Sequence, residues 1–565
     1  MTIFEQILKA RGLDNNEAAK LFFEPDYQMR HDPFLLPDMG AAVSRLVEAR
    51  ERQEHITIYG DYDIDGLTAT TVLLDAFSSF DFRFVDAFIP NRFREGYGMT
   101  EQAVEEIAAT GATLIVTVDC GSLSEGPIMR AKELGVDVIV TDHHNVAPVQ
   151  PPAVAVINPK RLLQDYPDRY EKFRLVEQVD GESLYPFLDL PGVGVAFKLV
   201  QALQTQLDGL EIGQEKWLLD LVALGTVCDV VTLVDENRLH VYWGLKVLAK
   251  TRRPGLKALM GVAGAEPSHL TARTLGFGLG PRMNAAGRLE TAKYAQDMLL
   301  ATDGMIALEL AQKLDEFNVA RRKAQDIIYK AALEQAEQYQ EDSVLVLSHA
   351  EWSHGIIGIV AAKILERYKK PTYVFQELGD ESKGSARSYG DFSVADAIRA
   401  SDDIITKGGG HKLAAGVTLP TQNIDAFRQR VNEYFVSLNL PPQISLLLPS
   451  ADVTADDFSE ATEELVTELS RLEPYGSGNP EPIICFENVT VMDVRRMGSE
   501  SQHVKLSLQD TNDKKLDVVA FSAPEEWFAE VGRQVSVWVE LSLNEWRGVR
   551  SVQGRLLHLV YLPEL

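Results

Sequence analysis

The sequence predicts an α/β chain: a parallel-sheet domain, joined by a long helix to a second α/β domain, followed by a C-terminal OB-like β-barrel. Three observations carry that expectation. Between residues 55 and 160, short β-branched runs alternate with helix-length segments, the pattern of βαβ units and a mostly parallel sheet. Residues 301–341 contain few helix breakers and end in charge, which suits a connecting helix. From residue 484 onward, five alternating segments (484–494, 503–508, 515–521, 534–541 and 551–561) have the number and size of the strands in a small barrel.

The totals bound the remaining choices. At ~150 residues per domain, 565 residues imply three or four domains. Hydrophobic residues at 45% and charged residues at 24% are ordinary for globular material. No apolar run approaches the ~20 residues that span a membrane, and the opening MTIFEQILKARGL lacks the apolar core of a signal peptide. Cys120, Cys228 and Cys485 are too few and too far apart for a disulfide framework or a thiolate zinc cluster, which fits a reducing cytoplasm. A formal charge of −28 argues against a protein that merely coats nucleic acid, since non-specific binding rests on Lys and Arg. An enzyme with a local basic channel is compatible with it.

Taken in order, residues 1–40 read as an irregular, partly helical lead-in broken by Pro25, Pro33 and Pro37, with a helix over 38–53. A first domain is expected over 41–300, with strands at 56–59, 84–89, 113–118, 136–141 and 153–157 and helices at 67–80, 100–109 and 124–134. Residues 160–186 are polar and read as an insertion or long surface loop, and the chain beyond Gly192 turns largely helical. The connecting helix over 301–341 leads to a second domain over 342–437, with strands at 343–347 and 372–375 and a helix at 355–368. Residues 438–483, with Pro441, Pro442 and Pro449, are expected as a linker, and 484–565 as the barrel.

The stretch on which everything turns is Gly60–Gly66, GDYDIDG, between an apolar strand and a helix. In open α/β sheets, the carboxyl edge of the strands is where ligands bind. Asp61, Asp63 and Asp65 alternate, so in an extended turn they would face one side and raise one another's pKa unless a cation neutralises them. Taken alone, DxDxDG serves equally as an acidic turn whose Asp caps a helix. Three further segments then end in ionisable residues: Val118-Asp119 followed by Cys120 and Gly121, Thr141-Asp142-His143-His144, and Gly225-Thr226-Val227-Cys228-Asp229. Read as strand ends converging on one sheet edge, they form a carboxylate and imidazole cluster suited to Mn²⁺ or Mg²⁺, with Zn²⁺ less suited. Five or more ligands exceed the need of one Mg²⁺, so two ions ~3.5–4 Å apart are expected. His143 is assigned to metal and His144 to the substrate phosphate, with Asp142 orienting a histidine. The chemistry is then in-line attack of water on phosphorus, with no cysteine nucleophile.

GDYDIDG, VDCGS, TDHH and GTVCDV, in that order, resemble the DHH phosphoesterase superfamily. The segments LFFEPDYQMRHDPFLLPDM, NRFREGYGM, PGVGVAFKLV, GPRMNAAGRL, GSARS, GGGHKLAAG, LEPYGSGNPEP and LNEWRGVRSVQ resemble its RecJ family of single-strand-specific exonucleases over nearly the whole chain. The resemblance implies metal-dependent removal of 5′ nucleotides from single-stranded DNA, 5′ to 3′, in repair and recombination. It implies Asp63, Asp65, Asp119, His143 and Asp229 as metal ligands, with Asp61 as the first carboxylate and His144 completing the catalytic set. Tyr59 stands where some relatives carry His. In the second domain, Ser385 and Arg387 of GSARS and Gly409, Gly410 and His411 of GGGH are expected to contact phosphate, because glycines admit backbone N–H groups and arginine offers a fork. Arg92, Arg282, Arg288 and His354 are candidates for holding the strand, and Trp546 and Arg547 for stacking bases on the barrel, worth ~1–3 kcal/mol per base. Gly192-Val193-Gly194 with Lys198 lacks the spacing of a phosphate-binding loop, so ATP use is excluded. From the resemblance alone, a single-strand-binding protein and a helicase are expected partners, and a monomer is the default. Two alternatives remain: a DHH-type nuclease or phosphatase on short RNA or small phosphoesters, and a non-catalytic DNA-binding replication scaffold. The first leaves the barrel unexplained, and the second is expected to lose carboxylates that are present here.

Overall fold

The structure, a computed structural model, describes residues 1–562 apart from 15, 97, 174–182, 442–447, 499–500, 529 and 547. The chain divides into two compact units. One comprises residues 25–322 with 474–480, the other residues 1–24, 323–473 and 481–565.

The first unit is built on a parallel sheet of β1 (His55–Tyr59), β2 (Phe84–Phe88), β3 (Leu114–Val118), β4 (Asp137–Thr141) and β5 (Ala155–Ile157), in the order β2-β1-β3-β4-β5. Strands β1, β3 and β4 are buried along nearly all their length, which is why they read as continuous apolar runs rather than alternating ones. The chain moves outward from β1 to β2 and then reverses to β3. That reversal opens a crevice at the carboxyl ends of β1 and β3, the switch point where such sheets bind ligands.

Three helices complete this face: α1 (Ile64–Ser79), α2 (Gly192–Leu203) and α3 (Leu219–Cys228). Thr68, Thr70 and Thr71 are buried in α1 because each hydroxyl donates to the carbonyl four residues back, at 2.7, 2.7 and 2.8 Å. The segment ending at Asp229, expected as a strand end, is instead the end of α3, with eight of its ten residues buried. A helix that is apolar all round has no amphipathic period, so its sequence cannot be told from a buried strand. The expected loop at 160–186 contains helices Arg161–Asp165 and Pro167–Phe173, and its remaining part includes residues outside those described. The connecting helix α4 runs from Gly304 to Ala336, and the boundary between the units falls within it, after Arg322.

In the second unit, a sheet of β6 (Leu345–His349), β7 (Thr372–Leu378), β8 (Glu381–Arg387), β9 (Lys407–Gly410) and β10 (Ala414–Pro420) has the order β6-β7-β8-β10-β9. Only β6 and β7 were legible; GSARS ends β8 and GGGH ends β9, each running one residue past its strand, and their glycines weaken the strand signal. Helices α5 (Ile357–Tyr368) and Ile424–Ser437 flank the sheet, and Phe427 packs edge-on against Tyr373 and Phe375 at 5.2 and 5.7 Å.

The same unit carries the barrel: β11 (Val453–Ala455), β12 (Ile484–Met497), β13 (His503–Gln509), β14 (Lys515–Ala520), β15 (Gln534–Trp546) and β16 (Val549–Tyr561). Strands β12-β13-β14-β16-β15 close through a β12–β15 pairing into a five-stranded OB barrel. Residues 438–483, expected as a linker, contribute β11, paired parallel to β12, and the Thr462-capped helix α6 (Glu463–Ser470). The lead-in is not a separate segment either. Its helix Ile3–Ala10, closed by a Thr2–Glu5 capping box, docks in this unit through Ile3 N–H to Glu460 (2.7 Å) and Arg11 to Asp452 (2.9 Å).

Candidate active site

The acidic turn after β1 does not present its three carboxylates from one extended face. Asp61 precedes the helix, Asp63 is the N-cap of α1 and accepts from Gly66 N–H at 3.2 Å, and Asp65 lies in the first helical turn. Asp63 therefore meets both readings of the motif, as a cap and as a member of the cluster. Asp65 is fixed from the far side: its two oxygens accept from Gly192 N–H (2.6 Å) and Val193 N–H (2.8 Å) at the start of α2. Asp119 leaves β3 with φ +62, a strained geometry held by its N–H to the Thr141 carbonyl at 3.0 Å. Gly192 must be glycine here, since a Cβ on it would lie 2.6 Å from Asp119 Cβ.

These elements converge on His143. Its Nε2 lies 3.0 Å from Asp119 Oδ1, 3.7 Å from Asp229 Oδ2 and 3.8 Å from Asp65 Oδ2. Ligand atoms gather within 4.8 Å of one another in three sets: Asp61, Asp63 and Asp119; Asp65, His143 and Asp229; and Asp119, His143 and His144. Burial and then mutual repulsion push Asp61 up to about 8, Asp65 to about 7 and Asp229 to about 9, and hold Asp119 well above the carboxylate range. Burial also drives His143 down to about 3, so its imidazole is neutral. Asp61 Oδ1, Asp119 Oδ1, Asp229 Oδ2 and His143 Nε2 are buried and make no hydrogen bond. Four buried lone-pair atoms left without hydrogen-bond partners and crowded together are what a divalent cation satisfies. The donor set, hard carboxylates and a neutral imidazole, fits Mn²⁺ or Mg²⁺.

Asp142 is not in the cluster but behind it. Its carboxylate accepts from His143 N–H (2.7 Å), His144 N–H (3.0 Å), Ser122 N–H (2.9 Å) and His144 Nδ1 (2.9 Å). Burial disfavours the charge, but the bond and charge of His144 outweigh it and keep Asp142 ionised below the usual range. In return, burial lowers His144 but the Asp142 bond and charge outweigh it and raise it, which favours the protonated imidazole beside Asp119, 3.8 Å away. Asn158, fully buried, braces this loop by donating to Ser122 Oγ and the His144 carbonyl, both at 2.9 Å.

The remaining candidates divide. Arg92 stacks over the Tyr62 ring at 4.2 Å and draws Asp61 down, so it belongs to the site; Arg288, at the end of helix Gly280–Leu289, also acts on Tyr62. Arg282 is taken up structurally, by Asp315 at 2.9 Å and the Gly278 carbonyl at 2.7 Å. Tyr59 is fully buried on the opposite cluster, its hydroxyl donating to the Gly98 carbonyl at 3.0 Å. Burial raises the thiols of Cys120 and Cys228, which keeps them protonated and unreactive. Lys198 is fully buried and donates to Glu236 and the His31 carbonyl.

In the second unit, Ser385 and Arg387 share one face of β8, toward the start of α5: a Cβ on Gly358 would sit 2.8 Å from Ser385 Oγ and 3.2 Å from Arg387 Nη2. Arg387 bonds Ser385 Oγ and the Ala386 carbonyl, and among the described residues it has no acidic partner. Ser385, Gly416 and Gly409 lie in register across β8, β10 and β9, a row with one small hydroxyl and no other side chain. Gly410 ends β9, and His411 N–H donates to the Ala414 carbonyl at 2.8 Å. His354 is oriented by Gln376 Oε1, 2.6 Å from its Nδ1. Trp546 ends β15 opposite Val549; Arg547 lies outside the described residues.

Sequence reasoning missed the α2 backbone clamp on Asp65, Asn158, and the Asp189 clamp described below. PGVG was the available signal for the first, a glycine-rich helix start that turns out to serve a carboxylate rather than a nucleotide.

Comparison with known proteins gives an independent reading. Family profiles match in three places: the DHH family N-terminal domain over residues 55–226, the DHHA1 domain over 341–437 and the RecJ OB domain over 454–558. The chain is 36% identical over 542 residues to the single-stranded-DNA-specific exonuclease RecJ of Escherichia coli (strain K12), covering 92% of this chain and 89% of that protein. It is 37% identical over 551 residues to the protein of the same name from Bacillus subtilis (strain 168), covering 97% of this chain and 66% of that one. The crystal structure of RecJ in complex with Mn²⁺ from Thermus thermophilus superposes with a TM-score of 0.80 at 28% identity, over all of this chain and 76% of that one. The chain belongs to the RecJ family and carries the DHH, DHHA1 and OB domains in that order.

Proposed function

We propose that the chain is a metal-dependent exonuclease that degrades single-stranded DNA from 5′ to 3′, releasing 5′-mononucleotides, in DNA repair and recombination. The observation that carries this reading is the cluster of carboxylates around the His143 imidazole, with four of its buried lone-pair atoms unsatisfied. Asp61, Asp63 and Asp119 would hold one ion and Asp65, His143 and Asp229 the other. Two such ions supply water deprotonated near neutral pH and neutralise charge on the attacking and leaving oxygens.

The protein's own groups do the rest. Helix α2 holds Asp65 with both oxygens engaged, so its geometry does not depend on the ion. His144, its protonated form favoured by Asp142, donates to a phosphate oxygen. Ser385, Arg387 and the N-terminal end of α5 form an anion cradle for the 5′ phosphate, and the Gly409–Gly416 row lets the backbone pass closely. The OB barrel binds the strand, with Trp546 and Arg547 as proposed stacking residues. A single-strand-binding protein and a helicase are proposed partners of a monomer, acting in the cytoplasm.

The test is a 3′-labelled single strand incubated with Mn²⁺, Mg²⁺ or chelator. Mononucleotides released from the 5′ end, with a matching duplex inert, support the proposal. A strand bound but never cut under either ion replaces it with the non-catalytic scaffold.

A further inference from the structure

The loop that follows α3 carries Asp229 and is strained. Val230, the next residue, has φ +64, and a β-branched side chain in that region costs roughly 1–3 kcal/mol. Such a conformation persists only where its surroundings hold it, and two clamps do so. On one side, Asp189 Oδ2 accepts from Thr232 N–H (2.9 Å) and Thr232 Oγ1 (2.5 Å), while Asn237 Nδ2 donates to the carbonyls of Asp189 (2.6 Å) and Thr232 (3.0 Å).

The other clamp comes from far along the chain. The turn Pro474–Pro480 belongs to the same compact unit as residues 25–322. It is closed by reciprocal backbone bonds between Gly476 and Asn479, at 2.9 and 3.1 Å, and by Asn479 Nδ2 to the Pro474 carbonyl at 2.9 Å. Its Ser477 carbonyl accepts from Leu233 N–H at 2.7 Å. The approach leaves no room for side chains: a Cβ on Gly476 would lie 2.6 Å from Leu233 Cδ1, and one on Gly478, at φ +73, would lie 3.1 Å from Thr232 Cβ.

We infer that the Pro474–Pro480 turn is a positioning element for the metal centre. It carries no ligand, yet it fixes the Val230–Val234 loop and thereby the carboxylate of Asp229, so that ion binding by Asp65, His143 and Asp229 depends on it. The inference rests on the two-ion reading above. It also explains why a glycine-rich turn distant in sequence packs against the ligand loop more closely than any other residue type would allow.

The test is Mn²⁺ binding to the full chain, followed by electron paramagnetic resonance of free Mn²⁺, for the wild type and Gly478→Ala. Wild type is expected to bind two ions, and the variant to weaken one of them about 10-fold, with nuclease activity recovered at high Mn²⁺. Gly264→Ala is the control, because that residue has φ +65 with nothing within 4 Å of its Cβ position; it is expected to carry the same backbone strain and keep both ions. Equal binding by Gly478→Ala and wild type, or equal weakening by the control, overturns the inference. If Gly478→Ala does not fold, Gly476→Ala decides: it should weaken the same ion, and Leu233→Ala combined with it should restore binding by clearing the clash. Lack of restoration by the double variant overturns the inference. Failure of the wild type to bind Mn²⁺ at all would instead sink the two-ion reading.

Discussion

Replacing Asp142 by Asn separates the support of the site from its ligands. The carboxylate accepts three bonds at Oδ1, from His143 N–H, His144 N–H and His144 Nδ1, and one at Oδ2, from Ser122 N–H at 2.9 Å. An Asn that keeps its oxygen at Oδ1 turns its amide nitrogen toward Ser122 N–H, so two donors face each other in a buried position. That costs about 1–3 kcal/mol of stability. The larger effect is on His144, which loses the charge that favours its protonated form. Because Asp142 has its pKa depressed by folding, its contribution is present above the usual carboxylate pKa of about 3.9 and lost only in stronger acid. The defect should therefore be seen in full at neutral pH. The expected outcome is a nuclease rate lowered roughly 10–100-fold, with two Mn²⁺ still bound, and a rate that falls off at lower pH than wild type as His144 deprotonates. Single-turnover cleavage of a 3′-labelled strand across pH 6–9, with Mn²⁺ titration in parallel, reads both. A variant with wild-type rate and pH profile would refute the role of Asp142; one that also lost an ion would make it a ligand support instead.

Three further outcomes are expected. Folding raises the pKa values of Asp61, Asp65, Asp119 and Asp229, so the metal-free protein binds protons that the unfolded chain releases, and its stability falls as pH rises from about 4 through 7–9; thermal melting in chelator should show this, and Mn²⁺ should abolish it at alkaline pH. Arg387→Ala should raise KM for 5′-phosphorylated strands about 10-fold or more while leaving 5′-hydroxyl strands nearly unchanged, and Arg387→Lys should rescue little because the fork geometry is lost; equal effects on both ends would remove Arg387 from the phosphate cradle. Gly192→Ala forces a Cβ to 2.6 Å from Asp119 Cβ and displaces the N–H that holds Asp65, so Mn²⁺ binding should weaken along with about 1–3 kcal/mol of stability; calorimetric Mn²⁺ titration checks it.

Local pattern made much of this molecule legible. The strand–turn–helix around Asp61–Asp65 and the ends of β3 and β4 announce themselves through buried β-branched runs followed by ionisable residues. What escaped is physical in origin. Helix α3 is buried on every side, so nothing in its period marks it as helix, although the candidate ligand at its end, Asp229, still stands beside His143. Strands β8 to β10 were hidden by the glycines that leave the row beside Ser385 bare. Arg282 and Arg387 look alike in sequence, yet Asp315 neutralises one and no acid among the described residues neutralises the other. The clamp on Asp65 comes from residues more than a hundred positions away, through backbone N–H groups whose glycine-rich PGVG setting does not say which carboxylate they serve.

If the carboxylate cluster around His143 is a two-ion catalytic centre, metal occupancy and cleavage must rise and fall together. The most direct test measures bound Mn²⁺ per chain and single-strand hydrolysis in the same samples, for wild type and Asp119→Ala. Two ions bound in the wild type, cleavage that emerges as the second site fills, and loss of one ion together with cleavage in the variant are expected. Full cleavage with one ion or in chelator, or two bound ions with no cleavage of any single strand, would contradict the two-ion reading.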